Sequence, residues 1–429
     1  CPQIKFSPSG KQTVNEKRKQ INNFLYKEFK TPCRKTVKRL FMYSGGFLSA
    51  VLICSLTNYL VNGNYLQLLQ NSLRYHTDLK YILIWSPIPN PSFKNNKKII
   101  GQKIFIKQKC PHINCYISYD KNLLKEDHKN FDAVVFKVKD IMKLRGKNIK
   151  ITRSPNQIYV FNSLEPADMH PVCNPIFDNF FNWTWTYKLN SEISHPFFNI
   201  YDINNEIVGP KLFINWTRQM DHTDKYKSRM RKKTKAVAWI VTACKLKVKH
   251  EEFINEFKNE LKGYNYTLDI YGPCGDKKCP KRSTKNCYDI IEQHYFFQMV
   301  LEETFAEDYI TERMVRAMTH ISIPIVIGGS HYNRFLPPGS YINAQSFDIK
   351  KLGAIIDYLI KNPTTYEYFF DWKNHYYYMA RPRSHMCDLC TKLNVNNISL
   401  NKHYSKFRNW WDPDYKEHCQ SAQFNNKGF

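Results

Sequence analysis

Tyr81-Ile-Leu-Ile-Trp85 is a continuous apolar run that is followed by Pro87 and Pro89. A short apolar run bounded by turn residues is typical of a buried strand. Similar runs recur at Ala133-Val-Val-Phe136 and Ile158-Tyr-Val-Phe161, and polar segments of helix length separate them. Strands of this kind, alternating with helices, predict a parallel sheet that is covered on both faces.

The same pattern returns after a basic connector at 225–235 that contains no proline. The predicted elements of this second half are three strands and two helices, at 236–241, 268–271, 323–327, 251–261 and 312–318. Two such halves predict an α/β fold of two Rossmann-like domains facing a cleft, with ligands at the carboxyl ends of the strands. Neither half contains a GxGxxG or a GxxxxGKS loop, which argues against a nicotinamide dehydrogenase or a P-loop ATPase.

The N-terminal region combines a basic segment with an uncharged one. Residues 1–40 carry eleven Lys or Arg against Glu16 and Glu28, and the run at 41–61 carries no charge. Its 21 residues match the length that crosses a bilayer as a helix. Because basic flanks stay in the cytoplasm, we expect a cytoplasmic tail at 1–40, a transmembrane signal-anchor at 41–61 and a stem at 62–78. A buried soluble helix is the alternative for 41–61.

The cysteines favour disulfides in an oxidising compartment, since ten of the thirteen fall after residue 100. Cys110 with Cys115 and Cys387 with Cys390 are close in sequence and are the predicted pairs. Zinc is the alternative for Cys387-Asp-Leu-Cys390, but a tetrahedral site needs two more ligands. No second CxxC or HxxxH stands at the spacing that would supply them, so we expect no metal.

Three glycosylation sequons fit such a compartment, at Asn215, Asn265 and Asn397. A fourth, at Asn182, lies in a dense aromatic run. We expect Asn182 to be buried and unmodified.

The formal net charge of +27 raises the alternative of a nucleic-acid-binding protein, because clustered Lys and Arg release counterions from phosphates. The basic residues are instead spread along the chain, without a zinc-finger, helix-turn-helix or RNA-binding strand motif. We therefore expect no nucleic-acid partner. A groove for an anionic sugar nucleotide would also benefit from a positive field, and much of the excess is expected on solvated surface.

Six motifs stand out in chain order. They are Ser163-Leu-Glu165-Pro, Phe181-Asn-Trp-Thr-Trp-Thr-Tyr187, Val237-Ala-Trp-Ile-Val-Thr-Ala-Cys244, Tyr271-Gly-Pro-Cys-Gly275, Asp308-Tyr-Ile-Thr-Glu-Arg313 and Phe335-Leu-Pro-Pro-Gly-Ser340. Their order and spacing across residues 80–395 resemble the α1,3-fucosyltransferases of glycosyltransferase family 10. The last two, a DYxTE box and an FLPPGS box, are highly specific when they occur in this order.

The resemblance implies a two-domain GT-B fold, with an acceptor-binding domain at 79–230 and a donor-binding domain at 231–395. It implies GDP-fucose as donor, inversion at the sugar carbon and no obligatory metal cofactor. The extension at 396–429 and Cys387-Asp-Leu-Cys390 resemble the ending of the core-type enzymes of insects and plants. The expected activity is α1,3 transfer of L-fucose to the innermost GlcNAc of an N-glycan on glycoproteins. The expected location is the Golgi membrane, as a single-pass type II protein with a lumenal catalytic domain.

Glu165 is the predicted catalytic base. It matches the family's catalytic Glu, and the apolar strand before it and Pro166 after it place it at a strand end. The resemblance assigns the donor to the DYxTE box, where Tyr309 packs on or bonds the donor, Glu312 accepts from ribose hydroxyls and Arg313 contacts the diphosphate. The other predicted donor-binding residues are Tyr271, Glu302, Glu303, Thr311, Lys247 and His250.

Departures from the family pattern keep a second interpretation open. Glu303 stands where an amide is usual, and Ala243 and His250 stand where the family has Asn and Arg. The motif at Glu165 also lacks the Ser that normally precedes the Pro. A catalytically impaired member that still binds glycan is therefore the alternative to an enzyme.

Asp412-Pro-Asp414 resembles the metal-binding DxD motif of other glycosyltransferases. It lies after the catalytic core in sequence. A proline-bounded acidic turn without a metal is the preferred interpretation.

Overall fold

The computed structural model describes eight stretches of the chain, 78–86, 100–124, 128–144, 154–241, 248–280, 284–381, 386–395 and 403–424. The predicted tail, the anchor and nearly all of the stem lie outside these stretches. Within them, no helix is both long and apolar enough to cross a bilayer.

A six-stranded sheet is the framework of the first half, and its neighbouring strands are all parallel. In spatial order the strands are β2 (Cys115–Ser118), β1 (Lys80–Trp85), β3 (Ala133–Lys137), β4 (Ile158–Ser163), β5 (Trp183–Thr186) and β6 (Ile193–Ser194). The predicted strands β1, β3 and β4 are confirmed. Their residues are mostly buried, as expected for a sheet that is covered on both faces.

A five-stranded parallel sheet is the framework of the second half. Its spatial order is β10 (Leu268–Tyr271), β9 (Lys235–Ile240), β11 (Tyr295–Leu301), β12 (Ile323–Ile327) and β13 (Ile342–Asn343). The predicted strands β9, β10 and β12 are confirmed, whereas β11 was not predicted. The α/β class with parallel sheets is thereby confirmed.

Helices connect the strands of both halves. Those preceding the C-terminal segment are α1 (Lys103–Lys107), α2 (Val138–Ile141), α3 (Lys227–Met230), α4 (Val248–Gly263), α5 (Thr284–His294), α6 (Glu312–Thr319), α7 (Ile349–Lys361) and α8 (Pro363–Tyr368). The helices predicted at 251–261 and 312–318 are confirmed as α4 and α6. Thr311 caps α6, because its side-chain oxygen accepts a hydrogen bond from the Arg313 backbone N–H at 3.4 Å.

A small antiparallel sheet was not predicted. It consists of β14 (Tyr376–Ala380), β7 (Phe198–Asp202) and β8 (Ile207–Gly209), in that order. Alternate residues of β7 and β14 point inward, and Phe198, Ile200, Tyr376 and Tyr378 are buried. The sheet therefore joins a segment that follows the first parallel sheet to one that follows the second.

The disulfides correct the predicted pairing. Cys110 is bonded to Cys387 and Cys115 to Cys390, with Cα separations of 5.0 and 5.9 Å. Cys387 and Cys390 lie one turn apart on α9 (Cys387–Leu393), so both side chains face the first sheet together. The four predicted cysteines are thus all oxidised, but each pair crosses between segments, and these sulfurs are not available to zinc. Within the described stretches, the disulfides Cys173–Cys419 and Cys279–Cys287 were also not predicted.

The C-terminal segment packs on the first half. It contains α9, α10 (Phe407–Trp411) and α11 (Tyr415–Phe424). The Phe407 and Trp411 side chains are fully buried, and each ring centroid lies 4.8 Å from that of Phe161 on β4. Residues 386–395, which the sequence interpretation assigned to the end of the donor domain, therefore contribute to the core under the first sheet.

Candidate functional site in the cleft between the halves

The loop after β4 presents Glu165. The Glu165 backbone N–H donates to Ser163 Oγ at 3.0 Å, and this hydroxyl donates to the Glu165 carbonyl at 2.9 Å. Two residues later the Ala167 N–H donates to the Tyr187 hydroxyl oxygen at 3.0 Å. The loop is thus fixed by short-range hydrogen bonds at the carboxyl end of its strand, where ligands bind in parallel α/β sheets.

The Glu165 carboxylate remains accessible to solvent. Its side chain is 40% exposed, and its oxygen lies 2.6 Å from the Lys139 ammonium group. Lys139 lies on α2, directly after β3, so adjacent strands supply the two charges. The ion pair with Lys139 orients the Glu165 carboxylate at the sheet edge, where a proton acceptor could reach a ligand.

Glu302 supports the second half of the site from inside. It follows β11 and is almost fully buried, and it accepts hydrogen bonds from the Thr311 backbone N–H at 2.9 Å and the Thr311 hydroxyl at 3.0 Å. Burial raises the pKa of Glu302 to about 7, against the opposing effect of these bonds. The Glu302 carboxylate thus positions the start of α6.

Arg313, in the first turn of α6, forms an ion pair with Glu303, which follows β11. The side chain of Arg313 is 28% exposed and that of Glu303 is 47% exposed. Arg313, predicted to contact the donor diphosphate, is therefore paired with a carboxylate. Glu312 opens the helix and is exposed.

The first two residues of the DYxTE box join the two halves. Tyr309 is buried, with its ring centroid 5.0 Å from that of Tyr187 and 5.5 Å from that of Phe197. Asp308 has a φ of +61°, a conformation in which Asp is enriched among residues other than glycine. Its carboxylate accepts from the Leu189 backbone N–H at 3.1 Å, across the halves. The Tyr309 ring therefore packs between the two halves. The donor contact predicted for Tyr309 stays a prediction.

The remaining predicted donor-site residues lie elsewhere or are not described. Tyr271 ends β10, is buried, and shares a hydrogen bond of 2.9 Å between its hydroxyl and that of Tyr295. Lys247 and the side chain of His250 lie outside the described part of the chain, as does the sequon at Asn397.

The described sequons differ in exposure. Asn215 and Asn265 are exposed. Asn182 is buried, and its side-chain oxygen accepts from the Tyr159 backbone N–H at 2.8 Å. The expectation that Asn182 is buried is confirmed.

A cavity of about 510 Å³ lies between the halves, and three parts of the chain line it. The lining residues are Ala167, Asp168, Tyr187 and Lys188 from the first half, Phe305, Ala306, Glu307 and Gly329 from the second, and Trp411, Asp412, Pro413, Asp414 and His418 from the C-terminal segment. Gly329 is required where it stands, because a Cβ there would lie 1.6 Å from the Phe305 carbonyl oxygen. The sequence interpretation placed 412–414 beyond the site, whereas the structure places this turn in the cavity wall.

Charged groups inside this cavity were missed by the sequence interpretation. Lys188 is buried, donates to the Trp410 carbonyl at 2.8 Å and lies 3.4 Å from Glu307. Burial lowers the pKa of Lys188, and Glu307 opposes this effect. Asp412 is buried and bonded to His418 Nδ1 at 2.8 Å. The sequence signal that could have indicated this cavity was Asp412-Pro-Asp414. The other residues that line the cavity with it are remote in sequence.

One group of side chains away from the cavity has the composition of a metal site. His222, Asp224 and Glu367 bring potential ligand atoms within 4.8 Å of one another. Lys227 lies 3.4 Å from Asp224 and 3.7 Å from Glu367, so a cation already balances these carboxylates. We therefore assign no metal ion and no catalytic role to these three side chains.

Two parallel α/β halves flank a polar cavity, and an accessible carboxylate lies at a strand end beside it, as in α/β proteins that bind a ligand at the carboxyl ends of their strands. The family model "Fucosyltransferase, N-terminal" matches residues 77–198, and "Glycosyltransferase family 10 (fucosyltransferase) C-term" matches residues 230–410. The chain belongs to glycosyltransferase family 10, the fucosyltransferases, and is therefore a glycosyltransferase.

The chain is similar to known proteins and to a solved structure. Alpha-(1,3)-fucosyltransferase C of Drosophila melanogaster is 29% identical over 345 residues, covering 79% of each chain. Glycoprotein 3-alpha-L-fucosyltransferase A of the same organism is 26% identical over 345 residues, which span 78% of this chain and 60% of that protein. A crystal structure of an alpha1,3-fucosyltransferase with GDP-fucose matches 76% of this chain and 92% of that chain, with 14% identity and a TM-score of 0.42.

Proposed function

We propose that the chain transfers L-fucose from GDP-fucose in α1,3 linkage to GlcNAc of N-linked glycans, with inversion. The observation that carries the proposal is the position of Glu165, an accessible carboxylate two residues before the cavity wall. The names of the two Drosophila relatives support the α1,3 linkage and a glycoprotein acceptor. The ending of the chain, which resembles core-type enzymes, supports the innermost GlcNAc.

In this mechanism Glu165 acts as the general base. Its carboxylate takes the proton from the acceptor hydroxyl as that oxygen bonds to the anomeric carbon, and GDP leaves from the opposite face of the sugar. The Lys139 ammonium group, 2.6 Å away, holds the carboxylate in position before the reaction. In a GT-B fold the first domain binds the acceptor and the second binds the donor. We assign these roles to residues 79–230 and 231–395.

Negative charge that develops on the departing diphosphate needs a fixed cation. Arg313 at the start of α6 supplies one, and a guanidinium group can bond two phosphate oxygens at once. Glu303 must release or share Arg313 for this contact, since the two side chains form an ion pair. Such cationic stabilisation supports a reaction without an obligatory metal.

Residues 41–61 are proposed as the membrane anchor, with the enzyme in the Golgi lumen. The disulfides support this location, because such bonds persist in oxidising compartments. The basic flank at 1–40 supports a cytoplasmic N-terminus.

A glycan-binding protein with impaired catalysis is the second candidate. The Arg313–Glu303 pair favours it, because a carboxylate beside the diphosphate site opposes binding of the donor. Donor binding separates the two candidates.

The test of the proposed function is fucose transfer by the full chain in detergent, with GDP-fucose and defined N-glycans. Glu165→Gln keeps the side-chain size but removes the base, so kcat is expected to fall by about two to four orders of magnitude. GDP affinity, measured by calorimetry, is expected to stay unchanged. Glu252→Gln, an exposed site on α4, is the matched control.

Near-normal turnover of Glu165→Gln would place the base on another residue. A wild-type chain that binds N-glycan but neither binds GDP nor transfers fucose would favour the second candidate.

A further inference from the structure

The wall of the cleft cavity that the C-terminal segment supplies is held in a fixed position. The Cys173–Cys419 disulfide ties α11 to the first half, and the Trp411 indole N–H donates to the His170 carbonyl at 3.0 Å. Arg408 on α10 bonds Asp178 through its backbone N–H at 3.0 Å and its side chain at 2.9 Å. The segment is therefore a built part of the cavity, anchored at several points.

The charges of the cavity select against an anionic ligand. Asp168, Glu307, Asp412 and Asp414 face one buried lysine and one histidine among the lining residues. The lysine is already engaged by Glu307 and by a backbone carbonyl. A diphosphate would meet like charges here, whereas sugar hydroxyl groups donate hydrogen bonds to carboxylates.

A divalent cation fits the cavity less well than a sugar. In the part of the chain that the structure describes, the one group of potential metal ligands that converges is at His222, not in this cavity. Asp412 is engaged by His418 and by the Asp414 backbone N–H. Phe305 adds an aromatic side chain that is 40% exposed, a surface that suits the C–H face of a sugar ring. The volume of 510 Å³ lies in the range of small-ligand sites, ~300–1,000 Å³.

Among the carboxylates that line the cavity, Asp414 is the best placed to accept hydrogen bonds from a ligand. It is exposed and lines the cavity, and its described contacts are made by its backbone and leave the carboxylate unbonded. Ala167 and Asp168 line the same cavity and follow Glu165 closely in the chain. A sugar bound there lies on the side of the proposed base.

We propose that this cavity binds a neutral saccharide unit of the acceptor, and that Asp414 is a specificity-determining residue supplied by the C-terminal segment. The proposal rests on the proposed transfer of fucose to glycans. It adds a subsite to that reaction and assigns the discrimination between acceptors to a segment outside the two parallel sheets.

The test uses the full chain in detergent with Asp414→Ala, Asp414→Asn and the control Glu417→Gln, which changes an exposed carboxylate three residues later, in the first turn of α11. Loss of a hydrogen bond to a charged group is expected to raise the acceptor KM about ten- to a hundredfold in Asp414→Ala. Asp414→Asn keeps an acceptor oxygen and is expected to lose less. The KM for GDP-fucose should stay the same.

Acceptor length provides the specificity readout. Complete N-glycan and a truncated chitobiose-asparagine acceptor are compared, and the preference of wild type between them is expected to change in Asp414→Ala but not in Glu417→Gln. Unchanged acceptor kinetics and preference in Asp414→Ala would overturn the proposal. A rise in the KM for GDP-fucose alone would assign the cavity to the donor.

Direct titration of free N-glycan, with and without GDP, separates this proposal from the proposed function. If wild type transfers no fucose but binds glycan more tightly than Asp414→Ala, the subsite stands and the enzymatic function fails. If glycan affinity is equal in the two proteins, the subsite fails whatever the transfer assay shows.

Discussion

Glu302 is a buried carboxyl group that supports the second half through Thr311. Burial raises its pKa from 4.5 to about 7, so the folded protein keeps the proton in a pH range where the unfolded chain releases it. The stabilisation that this retained proton gives the folded state is fully present below pH 4.5. It is lost as pH rises through about 7. The total is about 3 kcal/mol, because one pKa unit corresponds to ~1.4 kcal/mol.

Glu302→Gln is neutral at every pH and can keep the bond to the Thr311 N–H. The variant is expected to match wild type at about pH 5 and to be more stable at about pH 8, as measured by urea unfolding. Glu252→Gln is the control and should follow wild type. A stability difference that does not vary with pH would contradict this assignment.

Single residues differ in how far their position could be predicted. Glu165 was placed correctly at a strand end because an apolar strand precedes it and a proline follows it. Lys188 and Asp168 were missed, since a lone charge in a loop has no local pattern and acquires its surroundings from distant segments.

At the scale of elements, α9 determines how the cysteines pair. Its two cysteines lie one turn apart and are bonded to two different residues near β2. Trypsin is expected to release peptides 110–121 and 384–392, each of which contains two cysteines.

Crossed pairing predicts that mass spectrometry of the unreduced digest detects the two peptides as one linked species. Reduction should then release both peptides. Pairing within each close pair would instead give two separate peptides. Cys279–Cys287 provides the comparison, because it joins cysteines only 8 residues apart.

Elements whose sequence pattern is local were predicted, whereas elements that depend on contacts between distant segments were not. The parallel strands were recognised because burial on both faces makes them continuously apolar. The antiparallel sheet was missed because β14 pairs with β7, far away in the chain, and Tyr376-Tyr-Tyr-Met-Ala380 shows no alternation of polar and apolar residues.

At the scale of the whole molecule, one hydrophobic cluster contains residues of both halves, Tyr187 and Phe161 with Tyr309 and Met314. Residues Lys80–Phe429 also form one compact unit. We expect both halves to unfold in a single cooperative transition, as measured by calorimetry with the disulfides intact.

Tyr309→Ala is expected to lower the free energy of unfolding by about 3–5 kcal/mol while the transition stays single. Tyr358→Ala, at an exposed position on α7, is the control. Two separate transitions, with only one of them moved by Tyr309→Ala, would mean that the halves unfold independently.

The two-half architecture was predictable because each parallel sheet is built from repeats of neighbouring segments. The way the halves meet was not. Contacts such as the Leu189 N–H with the Asp308 carboxylate join residues 119 positions apart, and nothing near either residue specifies its partner.

The route of the disulfides has a consequence for biosynthesis. Cys110, Cys115 and Cys173 are bonded to partners 277, 275 and 246 residues later in the chain. Domains commonly fold in the order in which the ribosome delivers them. In this chain the first half cannot be completed in that order, because its cysteines and the space filled by Trp411 wait for a segment that follows the second half. A truncation that removes residues 403–424 is therefore expected to damage the first half of the protein.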